Sequence, residues 1–114
     1  MTYRELLEKK TFAVAGDTLN PDKYAYRIKK ALIDRGYTVY AVGKEAKSLD
    51  DIPSFDVLDL CINPVKGLEL IQSAHNAIPY VLIQPGAGSD EIRSYLTSHS
   101  IPFDDGCVLK ALGE

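Results

Sequence analysis

The sequence predicts an α/β domain: a five-stranded parallel sheet with helices on both faces. Short apolar runs recur along the chain and end at Gly or Pro, as strands buried on both faces do. Between them lie stretches whose apolar residues repeat with the helical period. The two patterns alternate from one end to the other, which calls for parallel pairing and right-handed crossovers.

The chain opens on Thr2-Tyr3-Arg4-Glu5, a capping box in which Thr2 accepts from a first-turn N–H and Glu5 reaches back. Leu6 and Leu7 dock this short helix, and Lys9-Lys10 suits its C-terminal end. Thr11-Phe12-Ala13-Val14-Ala15-Gly16 is the first strand. Pro21 suits the first turn of the next helix, whose buried face is Tyr24, Ile28 and Leu32 with Ala25 and Ala31 beside them. Gly36 ends that helix, and Tyr37-Thr38-Val39-Tyr40-Ala41-Val42 is the β-branched, aromatic second strand.

The pattern then repeats. Asp56 to Ile62 forms the third strand, and Pro64 starts a helix with Val65, Leu68, Ile71, Ala74 and Ile78 inward. Tyr80-Val81-Leu82-Ile83 is the fourth strand, followed by Gln84-Pro85-Gly86-Ala87-Gly88. Ser89 caps the next helix, Asp90 and Glu91 complement its dipole, and Ile92, Tyr95 and Leu96 face inward. Ile101-Pro102-Phe103 is a short last strand, placed at an edge by its proline, and Val108 to Leu112 adds a terminal turn.

These elements make a Rossmann-like, three-layer α/β/α fold, with residues 1–114 as one domain and an expected strand order of 3-2-1-4-5. Ligands of such sheets bind at the carboxyl ends of the strands, where the order reverses. That order places the reversal between the first and fourth strands. It brings the loop after Gly16 beside Gln84, Pro85 and Gly86.

Composition narrows the function. The net charge of −3 argues against nucleic-acid binding, and the lysine clusters (Lys9-Lys10, Lys29-Lys30, Lys44 with Lys47) read as solvated surface. No apolar run suits a membrane span, and no secretory leader is expected at the charged N-terminus, so a cytoplasmic protein is expected. Cys61 and Cys107 are too few for a disulfide framework, and with two histidines no metal site is expected. Cys61 reads as a small core hydrophobe, Asp104-Asp105-Gly106-Cys107 as a structural turn, and His75 and His99 as surface residues. There is no G-x-S-x-G elbow, and no catalytic residue is expected.

The ligand signal lies in three segments. Gly16-Asp17-Thr18-Leu19-Asn20-Pro21 leads from a strand into a helix N-terminus, a place that attracts phosphate, with Tyr24 just inside the helix. Val42-Gly43-Lys44 ends the second strand, where NAD-binding domains carry an acid for the ribose diol. A lysine there suits a phosphomonoester instead, as on coenzyme A (CoA) or NADP. Asn63-Pro64 follows the third strand.

From Phe12 to Leu112 the chain resembles the small CoA-binding domain proteins, whose fold is shared with the N-terminal domain of the succinyl-CoA synthetase alpha subunit. The resemblance rests on Ala13-Val14-Ala15-Gly16 with Asn20-Pro21, Gly36 to Val42, Ser48-Leu49-Asp50-Asp51-Ile52-Pro53 and Asp56 to Leu60. Leu82-Ile83-Gln84-Pro85-Gly86-Ala87 and Asp105-Gly106-Cys107-Val108-Leu109 complete it. It implies CoA or acyl-CoA held by Gly16 to Pro21, Val42 to Lys44 and Asn63-Pro64. Where such proteins usually carry a small hydroxyl residue after the glycine, this chain has Asp17. Gly43 replaces an asparagine-proline pair, and Lys23 alone represents the basic residue of the first loop. The expected function is a non-catalytic CoA or acyl-CoA module. The alternatives are an NAD(P)-type nucleotide-sensing domain and an interaction scaffold, homodimeric or bound to a protein partner, that has lost its ligand.

Overall fold

Strands β1 (Thr11–Gly16), β2 (Thr38–Gly43), β3 (Val57–Leu60), β4 (Val81–Ile83) and β5 (Phe103–Asp105) pair in parallel in the order 2-1-3-4-5. The structure, a computed structural model, describes residues 1–114. Helices α1 (Tyr3–Leu7), α2 (Tyr24–Asp34), α3 (Pro64–Ser73), α4 (Asp90–Ser98) and α5 (Val108–Ala111) flank the sheet. None is long and apolar enough to cross a membrane.

Alternation along the strands divides the core in two. Ala13, Ala15, Leu58, Leu60, Val81 and Ile83 face α3 and α4, meeting Leu70, Ile71, Ile92 and Leu96. Phe12, Val14, Val57 and Leu82 face α1, α2 and α5, meeting Leu6, Ile28, Leu32 and Val108. Local chemistry sets the helix starts. Thr2 and Glu5 form the capping box, Asn63 accepts from Lys66 N–H behind Pro64 at the first turn, and Ser89 accepts from Ile92 N–H.

The strand order corrects the expected 3-2-1-4-5. Burial gives the reason. All four residues of β3 are buried, whereas β2 is half-exposed along most of its length. Each fully buried Leu or Val contributes about 1.5–3 kcal/mol relative to exposure. Val57, Leu58 and Leu60 therefore favour the centre of the sheet, and the Thr- and Tyr-containing β2 tolerates the edge. The order now reverses between β1 and β3, so the crossovers after these two strands diverge to opposite faces.

Smaller corrections follow from packing. α2 begins at Tyr24, with Pro21 in the preceding turn, and β5 starts after Pro102, which has no N–H for the ladder. Tyr24 and Val65, expected inward, are 61% and 70% exposed. Ala25, Ile28, Ala31 and Leu32 make the buried stripe of α2, while Gly67, Leu70 and Ile71 make that of α3.

Candidate functional site

A cavity of about 920 Å³ opens at the carboxyl edge where β1 and β3 part. Its neck is backbone. Gly16 has φ +150°, and a Cβ there would collide with the Cys61 carbonyl and lie 2.8 Å from the Ala25 Cβ. Gly43, its register partner on β2, has φ +118°, and a Cβ there would lie 3.0 Å from the Gly16 carbonyl oxygen. Only glycine at both positions lets β1, β2, β3 and the start of α2 converge this closely.

A latch holds the first loop to the second strand's turn. Thr18, 2% exposed, donates from Oγ1 to Glu45 Oε2 at 2.5 Å, and Lys29 Nζ of α2 donates to the same oxygen at 2.8 Å. The Lys29 ammonium and the Thr18 hydroxyl hold the Glu45 carboxyl below its ordinary range. The turn itself closes with Gly43 N–H donating to Ala46 O at 2.7 Å and Ala46 N–H to Ala41 O at 3.1 Å. Asp17 turns back on its own loop, where Oδ1 accepts from Leu19 N–H and Asn20 N–H, each at 3.2 Å.

Charge around the cavity runs against the chain's net charge. Lys23, Lys44, Lys47 and Lys66 line it, with Asp17 and Glu69 as the only acids among its lining residues. Below the cavity wall the surroundings turn apolar. Cys61 lines the wall, and two residues earlier on the same face of β3 lies Asp59, fully buried with neither carboxylate oxygen hydrogen-bonded. Burial pushes the Asp59 carboxyl up to about 8. Burial first, and then the negative potential of Asp59, push the Cys61 thiol up to about 12. No group of three or more His, Cys, Asp or Glu side chains is placed to hold a metal.

Of the residues expected at the site, Gly16, Asp17, Tyr24, Gly43, Lys44 and Asn63 line the cavity. Thr18, Leu19, Asn20 and Pro21 form the loop behind its rim; Thr18 is buried in the latch and Leu19 is 61% exposed. Val42 is core, and Pro64 starts α3 beside the wall. Gln84, Pro85 and Gly86 lie outside it. Gln84 is 4% exposed and faces α5, accepting from Val108 N–H at 2.8 Å and donating to Cys107 Sγ at 3.5 Å. The strand order explains this, since β3 separates β1 from β4.

Sequence reasoning missed the wall supplied by α3. Lys66, Glu69, Leu70 and Ser73 line the cavity, and their spacing is one face of a helix. The signal was present in that spacing. It was hidden because the apolar stripe Leu68, Ile71, Ala74 and Ile78 accounts for α3 without it.

Comparison with known proteins identifies the family. A family model described as "CoA binding domain" matches residues 10–113. The chain belongs to the CoA-binding domain family. A conserved hypothetical protein from Pyrococcus furiosus shares 28% identity over 88% of this chain and 97% of its own, with a TM-score of 0.81. A hypothetical protein from Pyrococcus horikoshii OT3 matches at 22% identity, TM-score 0.85, covering 97% of this chain and 89% of its own. A protein from Thermus thermophilus matches at 24% identity, TM-score 0.75, covering 92% and 91%. The last two show the fold alone. No curated protein matches the sequence.

Proposed function

We propose that this protein is a binding module for CoA or acyl-CoA with no catalytic activity of its own. The observation that carries the reading is the convergence of Lys23, Lys44, Lys47 and Lys66 on one cavity whose neck is glycine backbone. CoA brings a pyrophosphate and a separate 3′-phosphomonoester, so its charge is spread over two places. The lysines are spread likewise, from the start of α2 to the β2 turn and the first turn of α3. A cavity of about 920 Å³ lies at the upper end of the usual range for organic ligands, roughly 300–1,000 Å³.

Two further observations support it. The acid nearest the end of β2, Glu45, is already engaged by Lys29 and Thr18, which leaves no free carboxylate there for the ribose diol of NAD. The thiol at the wall, Cys61, is held in its unreactive protonated form, and a thiolate is what nucleophilic chemistry would need.

Isothermal titration with CoA, acetyl-CoA, dephospho-CoA and NAD tests the reading. CoA and acetyl-CoA are expected to bind with similar affinity, and dephospho-CoA about tenfold more weakly for loss of one charge-assisted contact. Absence of CoA and acetyl-CoA binding at millimolar concentration overturns it.

A further inference from the structure

We propose that the exposed face of α3 is the nucleoside-recognition wall of the cavity, with Glu69 selecting a purine that carries an exocyclic amine. This inference rests on the CoA reading and assigns the part of the ligand that the phosphate-binding loops do not reach.

The lining of the cavity falls into two groups by the elements that supply it. One lies at the neck, where Gly16, Asp17 and the start of α2 present backbone and Lys23. The other runs along α3 from Lys66 to Ser73, which at about 1.5 Å per residue is close to 10 Å of helix. That second group is bounded opposite by the turn from Gly43 to Lys47, whose Ala46 packs against the core on the α3 side of the sheet.

Along α3 the chemistry changes with distance from the carboxyl edge of the sheet. Lys66 stands in the first turn, paired across the cavity with Lys44 and Lys47 as the cations of the β2 turn. One turn on, Leu70 provides a floor that is 8% exposed, with exposed Glu69 beside it. Ser73 closes the far end. A cationic mouth, and next to it an apolar floor edged by a carboxylate, match a phosphorylated ribose, the flat face of a base and an amine donor on the edge of that base. Glu69 has no hydrogen-bonding or ionic partner in the protein, so its carboxylate is free to accept. An ionised carboxylate only accepts. It therefore favours the N6 amine of adenine and repels the O6 carbonyl of hypoxanthine, whereas a glutamine can present either its oxygen or its NH₂.

The test compares CoA, its hypoxanthine analogue and dephospho-CoA by isothermal titration on the wild type and on Glu69→Gln. The wild type is expected to prefer CoA over the hypoxanthine analogue by about tenfold or more, the value of a hydrogen bond to a charged acceptor. In Glu69→Gln that preference falls to within about threefold, while the ratio of CoA to dephospho-CoA stays as in the wild type. Residue 69 is exposed, so the variant is expected to fold; an unchanged melting temperature checks this. If CoA binds and the base preference is the same in both proteins, the nucleoside wall is overturned and the module reading stands. If the wild type binds none of the three ligands, both fall together.

Discussion

Two loops leave the carboxyl edge of the sheet with similar composition and opposite fates. Gly16-Asp17-Thr18-Leu19-Asn20-Pro21 follows β1 and opens on the cavity, while Gln84-Pro85-Gly86-Ala87-Gly88 follows β4 and is closed by the protein itself. In the second loop Gln84 bonds the start of α5 and Ala87 is 3% exposed, so that loop anchors a helix. In the first, the crossovers after β1 and β3 separate to opposite faces and leave room between them. Glycine and proline at a strand end permit a close approach. Strand order decides whether anything is left to approach.

Between the strands that feed these loops lies β3, and its Asp59 sets the largest expected effect. Asp59 stands in register with Val14 of β1 and Leu82 of β4, in the dry layer that separates the two loops. Its folded pKa of about 8 is raised above the unfolded value of about 3.8, so the folded state holds the proton more tightly. The stability this gives is fully present below about pH 4 and is lost as pH rises through about 8. The loss is about 1.4 kcal/mol per pH unit, on the order of 5 kcal/mol across the window. Urea midpoints at pH 5 and pH 8 are expected to fall in the wild type and to stay nearly level in Asp59→Asn. A level wild-type profile would mean that water reaches β3, and the two loops would not be separated by a dry layer.

The glycines give the next effect and compare the loops directly. Gly16→Ala adds a Cβ against the Cys61 carbonyl and Ala25 at a φ of +150°, and is expected to cost about 3–5 kcal/mol from backbone strain and overpacking. Gly86→Ala meets nothing within 4 Å, and its φ of +87° alone costs about 1–2 kcal/mol. Thermal denaturation of both variants ranks them. Equal losses would show that the neck at Gly16 is no tighter than the turn at Gly86.

Much of this was legible in the sequence, and the exceptions share a cause. Alternating strands and helices, the caps at Thr2 and Ser89, the helix start at Pro64 and the edge position of β5 follow from local patterns that contacts far along the chain do not overrule. The strand order does not. It depends on β3 being buried on both flanks, which the alternation of strands and helices along the chain does not specify. Misplacing β3 moved the expected site toward Gln84 and away from α3. Lys66, Glu69 and Ser73 are polar and look like an ordinary solvated helix face until the β2 turn is seen opposite them.

Asp17 carries the smallest effect and the one closest to function. It is half-buried at the cavity, and its Oδ1 occupies Leu19 N–H and Asn20 N–H, donors that a bound phosphate would otherwise compete for. Two like charges about 4 Å apart repel by about 4 kcal/mol at an effective dielectric of 20 and by about 1 in water. With solvent at the cavity mouth the penalty lies nearer the lower figure. Asp17→Ser keeps a side-chain oxygen for the loop and removes the charge, so CoA affinity is expected to rise by about tenfold or less, with a change in melting temperature of about 1–2 °C. Titrations at low and high salt separate the causes. If repulsion is the cause, the gain shrinks as salt screens the lost charge. A gain independent of salt would assign the effect to the freed N–H groups, and weaker CoA binding would show that the carboxylate accepts from the ligand and belongs to the site.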